Sequence, residues 1–189
     1  KNGFGFKLVL IWSSWGKIET VDAKTGQKYI QEFKDNLNII EKPKITKCKN
    51  KPYTSVSFKP DFKRLGFKEE NFDDDFKKLM MRRIYDIAAV TENSVKVKYN
   101  SKKLEPEIKD FESYVNLYIG SKSNTPRIYE CANERWEYFV CLAPNQEFTQ
   151  VSFVNGINTY KGGKHVDYII NQIVKKLTTF IKEKKNIDV

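Results

Sequence analysis

Near Asn71 the apolar residues of this chain first change period, from two to between three and four, and a strand-rich part followed by a mixed part points to an α/β (α+β) architecture. Before Pro60 the pattern is that of strands. Lys17-Ile18-Glu19-Thr20-Val21 is followed by a turn at Lys24-Thr25-Gly26 and a second run from Gln27 to Phe33, which predicts a hairpin. Thr54-Ser55-Val56-Ser57-Phe58 alternates, with Val56 and Phe58 on one face and the serines on the other. From Asn71 onward Phe72, Phe76, Leu79, Met80, Ile84, Ile87 and Ala88 recur at the spacing of one helical face. Asp73, Asp74 and Asp75 crowd the first turn of that helix and Arg82 and Arg83 lie further along, the charge order that a helix dipole favours.

The second part continues as alternating elements. Val95, Val97 and Tyr99 predict a half-exposed strand, and Phe111 to Ile119 a short amphipathic helix. Arg127 to Cys131 and Trp136 to Leu142 read as strands around a turn at Asn133-Glu134, and Val151 to Thr159 as a strand broken at Asn155-Gly156. A last helix runs from about His165 to Lys184, where Val166, Ile169, Ile170, Ile173, Val174, Leu177, Phe180 and Ile181 repeat at intervals of three and four. The stretch Lys42 to Lys51 is rich in lysine and is expected to be a solvated loop.

Composition removes several classes of function. The 189 residues are 40% apolar and 14% aromatic, enough to bury a core, so a disordered basic tail is excluded. The 34 basic against 24 acidic residues leave a net charge of +10, compatible with nucleic acid, an anionic membrane surface or an acidic protein as partner. No run approaches the roughly 20 apolar residues that span a bilayer. Cys48, Cys131 and Cys141 are widely spaced and odd in number, which is no disulfide framework and no metal pair; such usage fits a reducing compartment. His165 is the single histidine, so neither a histidine-cysteine zinc site nor a Ser-His-Asp set can be assembled, and that residue reads as a surface or helix-capping group. Lys1 opens the chain in the middle of a glycine loop, as an excised internal piece would.

Two segments are candidates for chemistry. Asn2-Gly3-Phe4-Gly5-Phe6-Lys7 leads into Leu8, Val9 and Leu10. Glycines let a backbone approach a phosphate closely, the amides of a helix N-terminus point at the anion, and a lysine adds a point charge. Glycine loops before helices also occur with no ligand at all. Lys182, Lys184 and Lys185, with Lys175 and Lys176 a turn or two earlier, offer charge to nucleic-acid phosphates, or equally complement the dipole of their own helix.

Five blocks in order carry a family resemblance. Asn2 to Leu8, Ser57-Phe58-Lys59-Pro60-Asp61, Leu79-Met80-Met81-Arg82-Arg83-Ile84-Tyr85-Asp86-Ile87-Ala88, Phe111 to Tyr118, and Val151 through Thr159-Tyr160-Lys161-Gly162-Gly163-Lys164-His165 to Tyr168 resemble successive segments of eukaryotic-type (type IIA) DNA topoisomerase II. The resemblance implies that residues 1–62 are the C-terminal part of a GHKL ATPase domain and 63–189 a transducer domain, incomplete at its end, with a mixed β-sheet backed by helices. It implies ATP-dependent relaxation and decatenation of duplex DNA by double-strand passage in the parent protein, with this piece relaying nucleotide state to the DNA gate. By the same match Asn2, Gly3, Phe4, Gly5, Phe6 and Lys7 inherit the cradle for the ATP phosphates. Lys1 stands where the family has Arg, and Phe6 where it has a small Ala, so the Phe6 ring must point away from the nucleotide or enlarge the local packing.

Lys182 and Lys184, with Lys185 beside them, match the family's helix leading to a DNA-contacting lysine loop, interrupted here by Glu183. The cofactors implied are ATP and Mg2+. The magnesium ligand and the water-activating carboxylate lie upstream of Lys1 and the γ-phosphate switch downstream of Val189, which leaves no catalytic or metal residue in this piece. The partners implied are duplex DNA without strong sequence specificity and a second copy in the full-length protein, with no membrane. The nucleus is the expected compartment, or a large DNA virus given the abundance of Lys, Asn and Ile. Two other readings stay open: a non-catalytic basic nucleic-acid-binding module, and another GHKL ATPase of the mismatch-repair or chaperone type. Steady-state assays on the 189-residue chain alone are expected to give no ATP turnover above background; measurable turnover would mean that the catalytic groups lie within it.

Overall fold

Strand β1 (Ser13–Asp22) and strand β2 (Gln27–Lys34) form the expected hairpin, in antiparallel register from Trp15↔Lys34 to Asp22↔Gln27. Asp22 shapes its turn by accepting hydrogen bonds from the Lys24 N–H at 3.0 Å and the Thr25 hydroxyl at 2.9 Å. The computed structural model describes residues 3–92, 94–143 and 146–185. These fall into two units, divided between Lys77 and Lys78.

In the first unit, β3 (Ile39–Ile40) and β4 (Lys44–Lys47) both pair with β2, and β5 (Tyr53–Pro60) pairs with the other side of β1, placing Ile18 opposite Val56. The sheet has five strands, all antiparallel. β4 corrects the expectation of a loop over Lys42 to Lys51. Its backbone finds ladder partners along the edge of β2, with Ile45 opposite Tyr29, although all four of its side chains stay exposed. Helix α1 (Phe4–Ile11) lies on this sheet through Leu10, which is buried. Gly16 makes that approach possible, since a Cβ there would stand 2.4 Å from Leu10 Cδ2.

Helix α2 (Asp74–Ala89) starts three residues later than the periodicity alone suggests, because the Asp73 carboxylate accepts the Phe76 N–H at 2.7 Å and caps the first turn. The second unit then carries β6 (Lys98–Tyr99), β7 (Lys102–Lys103), α3 (Phe111–Ile119), β8 (Arg127–Asn133), β9 (Trp136–Cys141), β10 (Phe153–Val154), β11 (Ile157–Asn158) and α4 (Lys164–Lys185). The strand expected over Val95 to Tyr99 keeps only its last two residues, which pair across a turn where Asn100 and Ser101 have positive φ, while the Val95 N–H closes an earlier turn onto the Glu92 carbonyl at 2.9 Å. The break expected at Asn155-Gly156 is a hairpin turn with φ of 51° and 77°, the signature of a primed turn.

The α/β class holds, but the strands of this unit pair only as two-stranded antiparallel hairpins among the described residues, where a mixed sheet was expected. Each strand finds its partner across a short turn, and no crossover connection brings two strands parallel.

The core of the second unit is built around Tyr114, which is 2% exposed. Its hydroxyl donates to the buried Asp86 carboxylate at 2.6 Å, while Arg83 donates to the other oxygen at 2.8 Å. The Tyr114 ring meets Phe153 edge-on at 5.8 Å and Phe111 at 6.3 Å. Burial first, and the Asp86 carboxylate second, push the Tyr114 hydroxyl far above its ordinary pKa, so it remains a donor at any physiological pH. α4 carries the apolar stripe read from the sequence yet buries none of it; Val174, Leu177 and Phe180 are each more than half exposed. Among the described residues no helix is long and apolar enough to cross a membrane.

Glu19, at the centre of β1, gives the first unit a pH dependence. Its carboxylate binds Lys28 at 2.8 Å and accepts from the Tyr53 hydroxyl, with Lys17 at 3.6 Å, and these partners, Lys28 foremost, lower its pKa to about 2. The unfolded chain then binds more protons than the folded one between the ordinary carboxylate range and about pH 2, so the contribution of Glu19 is present above that window and is lost as pH falls through it. Urea titrations across the window are expected to show stability falling with pH in the parent chain and a shallower fall in Glu19→Gln; parallel curves would remove Glu19 from the account.

Candidate functional site

The glycine loop and α1 set up an anion site from the backbone outward. Gly3 stands at the N-cap with φ 69°, a left-handed conformation that glycine adopts freely, and makes no side-chain cap. Helix N-termini carry several amides with no partner inside the helix, and here no side chain fills that role. A Cβ added at Gly3 or Gly5 would meet nothing within 4 Å, so the space over the first turn is open. Lys7 follows one turn later, exposed, with its Nζ 5.9 Å from the centre of the Phe4 ring. An N-terminus with free amides, open space and a nearby lysine can hold a phosphate or another anion. The Phe6 ring turns the other way and meets Phe33 of β2 edge-on at 6.3 Å, so the bulky side chain is absorbed by the sheet. Asn2, like Lys1, lies outside the described residues.

The opposite end of α1 is held by residues that periodicity did not reveal. The Ile11 carbonyl, orphaned at the helix C-terminus, accepts from Asn36 Nδ2 at 3.1 Å and from the Arg64 guanidinium at 3.1 Å. The same guanidinium sits 4.7 Å from the centre of the Trp12 ring, a cation–π distance. Asp61 completes the clamp. Its carboxylate accepts from Asn36 Nδ2 at 3.2 Å and from the Arg64 N–H at 3.0 Å, and its own N–H donates to the Trp12 carbonyl at 2.9 Å. The Arg64 N–H, then Asn36 and the neighbouring basic charges, hold the Asp61 carboxyl below the usual range.

Asn36 reaches this position from a turn in which Asp35, Asn36 and Leu37 all have positive φ, tied to β1 by the Ser14 and Ser13 carbonyls. The Asp35-Asn36 pair was the one available signal, since these side chains tolerate the left-handed region better than most. The hydrogen bonds themselves join residues 25 and 53 positions apart, beyond any local pattern.

Lys182, Lys184 and Lys185 stand exposed in the last turn of α4. They and the glycine loop belong to different units. At the start of α4, His165 is neither a free surface group nor a cap. Its Nε2 lies 3.1 Å from both the Ser152 and Thr159 hydroxyls, which are themselves 2.5 Å apart. Gly163 has φ 146°, which favours glycine, and a Cβ there would stand 3.2 Å from the His165 ring and press on it. Lys161-Gly162-Gly163 is a tight turn, closed by the Gly162 N–H to the Thr159 carbonyl at 2.8 Å. Among the described residues no three His, Cys, Asp or Glu side chains come together as a metal site.

With this geometry the chain matches known proteins over its full length. The profile of the DNA gyrase B family matches residues 104–189. DNA topoisomerase 2 of Arabidopsis thaliana is 44% identical over 100% of the chain, and that of Acanthamoeba polyphaga mimivirus 39% identical over 100%. The chain spans 13% and 15% of those relatives, a small fraction of their length. The crystal structure of the ATPase region of Saccharomyces cerevisiae topoisomerase II superimposes with a TM-score of 0.86 at 42% identity, covering 97% of this chain and 47% of that one.

The clamp on Ile11 is open to a double-mutant test. Arg64→Ala is expected to cost about 1–2 kcal/mol of stability, through removal of one of two hydrogen bonds and of the stack on Trp12. Asn36→Ala should cost a similar amount. Because the two donors share one carbonyl, the double variant should exceed the sum of the singles by roughly 0.5 kcal/mol or more in urea unfolding. Strict additivity would show that they do not act on the same group.

Proposed function

Because the chain belongs to the eukaryotic-type DNA topoisomerase II family, as a segment of its ATPase region, we propose that it works inside an ATP-driven enzyme that passes one DNA duplex through a transient break in another. Residues 1–62 are the end of the nucleotide-binding domain in this reading and 63–189 a transducer domain. The observation that supports the proposal is the open, uncapped N-terminus of α1, in the segment that resembles the family's phosphate loop. The residues fit the group: free amides, two glycines whose missing side chains leave the approach open, and Lys7 as the charge. Asn2, Gly3, Phe4, Gly5, Phe6 and Lys7 then cradle the phosphates, with the Phe6 ring serving as the anchor that fastens the loop to Phe33. Bound ATP supplies the interaction energy and, on hydrolysis, its release.

In this reading the Mg2+ ligand lies upstream of Lys1, as the family resemblance implies. The chain's own part is to bind and orient the phosphates at one end of α1 and to hold the other end fixed through Ile11, Asn36 and Arg64. Lys182, Lys184 and Lys185 are the proposed contacts to the DNA backbone, a charge-based interaction that carries no base sequence. Assembly as a homodimer and a nuclear location, or a viral one by analogy with the mimivirus relative, belong to the same proposal.

Gly5→Ala in the full-length protein separates ligand space from folding. The added methyl meets nothing in the free chain and replaces glycine inside a helix, so the melting temperature should hold or rise slightly. The KM for ATP should nevertheless rise about tenfold or more, the equivalent of roughly one good hydrogen bond or close approach. An unchanged KM would place the nucleotide elsewhere.

A further inference from the structure

The excess positive charge of the first unit has a single address. Residues 1–77 contain 16 basic and 11 acidic side chains, a net of +5. Lys42, Lys44, Lys47, Lys49 and Lys51 account for all of it, within ten residues that contain no Asp or Glu, and the remainder of the unit is balanced at 11 against 11. All five are exposed, and none forms an ion pair among the described residues, whereas Lys17, Lys28, Lys34 and Lys59 in the neighbouring strands each have a carboxylate partner. By comparison, the last turn of α4 offers three lysines offset by Glu183.

The stretch is not a floppy loop. It runs through β4, whose pairing with β2 fixes Lys44 opposite Ile30 and Lys47 opposite Gln27, and the Cys48 N–H continues the attachment to the Gly26 carbonyl at 2.8 Å. Lysines on an edge strand guard against unwanted strand pairing. That role does not account for lysines beyond both ends of β4, nor for their absence from β3, while β5 on the opposite edge carries only Lys59, already paired with Glu70.

We infer that the β4 edge, from Lys42 to Lys51, is a second binding surface for the phosphate backbone of duplex DNA. Alternate residues of an extended chain lie about 6.6 Å apart. Each strand of B-DNA offers a charge per roughly 3.4 Å of axis, so lysines two positions apart can each meet their own phosphate. The inference rests on the reading of DNA as this chain's partner, and adds a site in the first unit to the one proposed on α4.

The test is the salt dependence of binding of the 189-residue chain to a short random-sequence duplex, followed by anisotropy between about 50 and 200 mM salt. Three variants are compared with the parent: the five β4 lysines changed to Ala, the same five changed to Arg, and Lys182, Lys184 and Lys185 changed to Ala. Each phosphate that is no longer neutralised makes the slope of log Kobs against log salt shallower by about 0.9. The five-Ala variant is expected to have a slope shallower by about 2 or more and to bind tenfold or more weakly at low salt, while the Arg set stays near the parent. Thermal melting checks that all variants are equally folded. A five-Ala variant that is folded and keeps the parent slope overturns the β4 surface. If that slope is kept while the α4 triple variant has a shallower one, DNA binding survives and this inference alone fails; a parent chain with no salt-dependent binding overturns the reading of DNA as partner as well.

Discussion

The approach of Leu10 to Gly16 is the constraint on which the first unit rests. α1 is apolar at every side chain but Lys7, yet Leu10 is its one buried residue. That side chain descends onto a strand flanked by β2 on one side and β5 on the other, and a Cβ at Gly16 would force the Leu10 side chain out of its seat. The helix is thereby fixed in height above the sheet, with Phe6 touching Phe33 at one end and Asn36 and Arg64 grasping Ile11 at the other. Under the proposed phosphate role such rigidity would matter, because a displacement of an ångström removes most of the benefit of aligned donors. The turn of three left-handed residues at Asp35 to Leu37 is costly backbone, and it sets one amide group between the Ile11 carbonyl and the Asp61 carboxylate.

The second unit is organised by a polar interaction instead. Asp86 is a buried carboxylate that would be expensive alone, and it is made tolerable by Tyr114 and Arg83. Tyr114 then gathers the aromatic rings of Phe111 and Phe153 around itself, so one hydroxyl links the charge of α2 to the packing of α3 and the β10–β11 hairpin. His165 makes an analogous tie at the start of α4, where two hydroxyls from the flanks of that hairpin meet its ring. α4 leaves its apolar stripe outward, a helix whose amphipathic pattern exceeds what the described residues cover.

Much of this was legible before any coordinates. The β1–β2 hairpin followed from the Lys24-Thr25-Gly26 turn between two strand-like runs, α3 from its apolar spacing, and α4 from the apolar stripe between Val166 and Ile181. β4 was hidden because lysines suppress the alternation that marks a strand, and its strand character comes from the neighbouring edge of β2. The mixed sheet expected of the second unit came with the family resemblance, not with the residues, whose short turns already favoured antiparallel hairpins. The glycine motif marked where α1 begins, but the direction of Phe6 is a tertiary fact set by Phe33. The clamp of Asn36, Asp61 and Arg64 had no periodic signature at all, since it joins the end of α1 to two turns by side chains that would look like ordinary surface groups in sequence.

The strand order β3-β2-β1-β5 also ranks the steps by which the first unit can assemble. Pairing β1 with β2 closes only Ala23 to Gly26, a loop of minimal entropy cost. Pairing β1 with β5 must gather a segment that begins at Ala23 and ends at Pro52, and only then does the Ser57 carbonyl arrive beside Gly16. Local pairings of the first kind form quickly and distant ones slowly. The glycine loop is therefore seated late: α1 has a first wall to lean on as soon as the hairpin exists, but its last carbonyl waits for Arg64, which arrives only after β5 has closed the sheet.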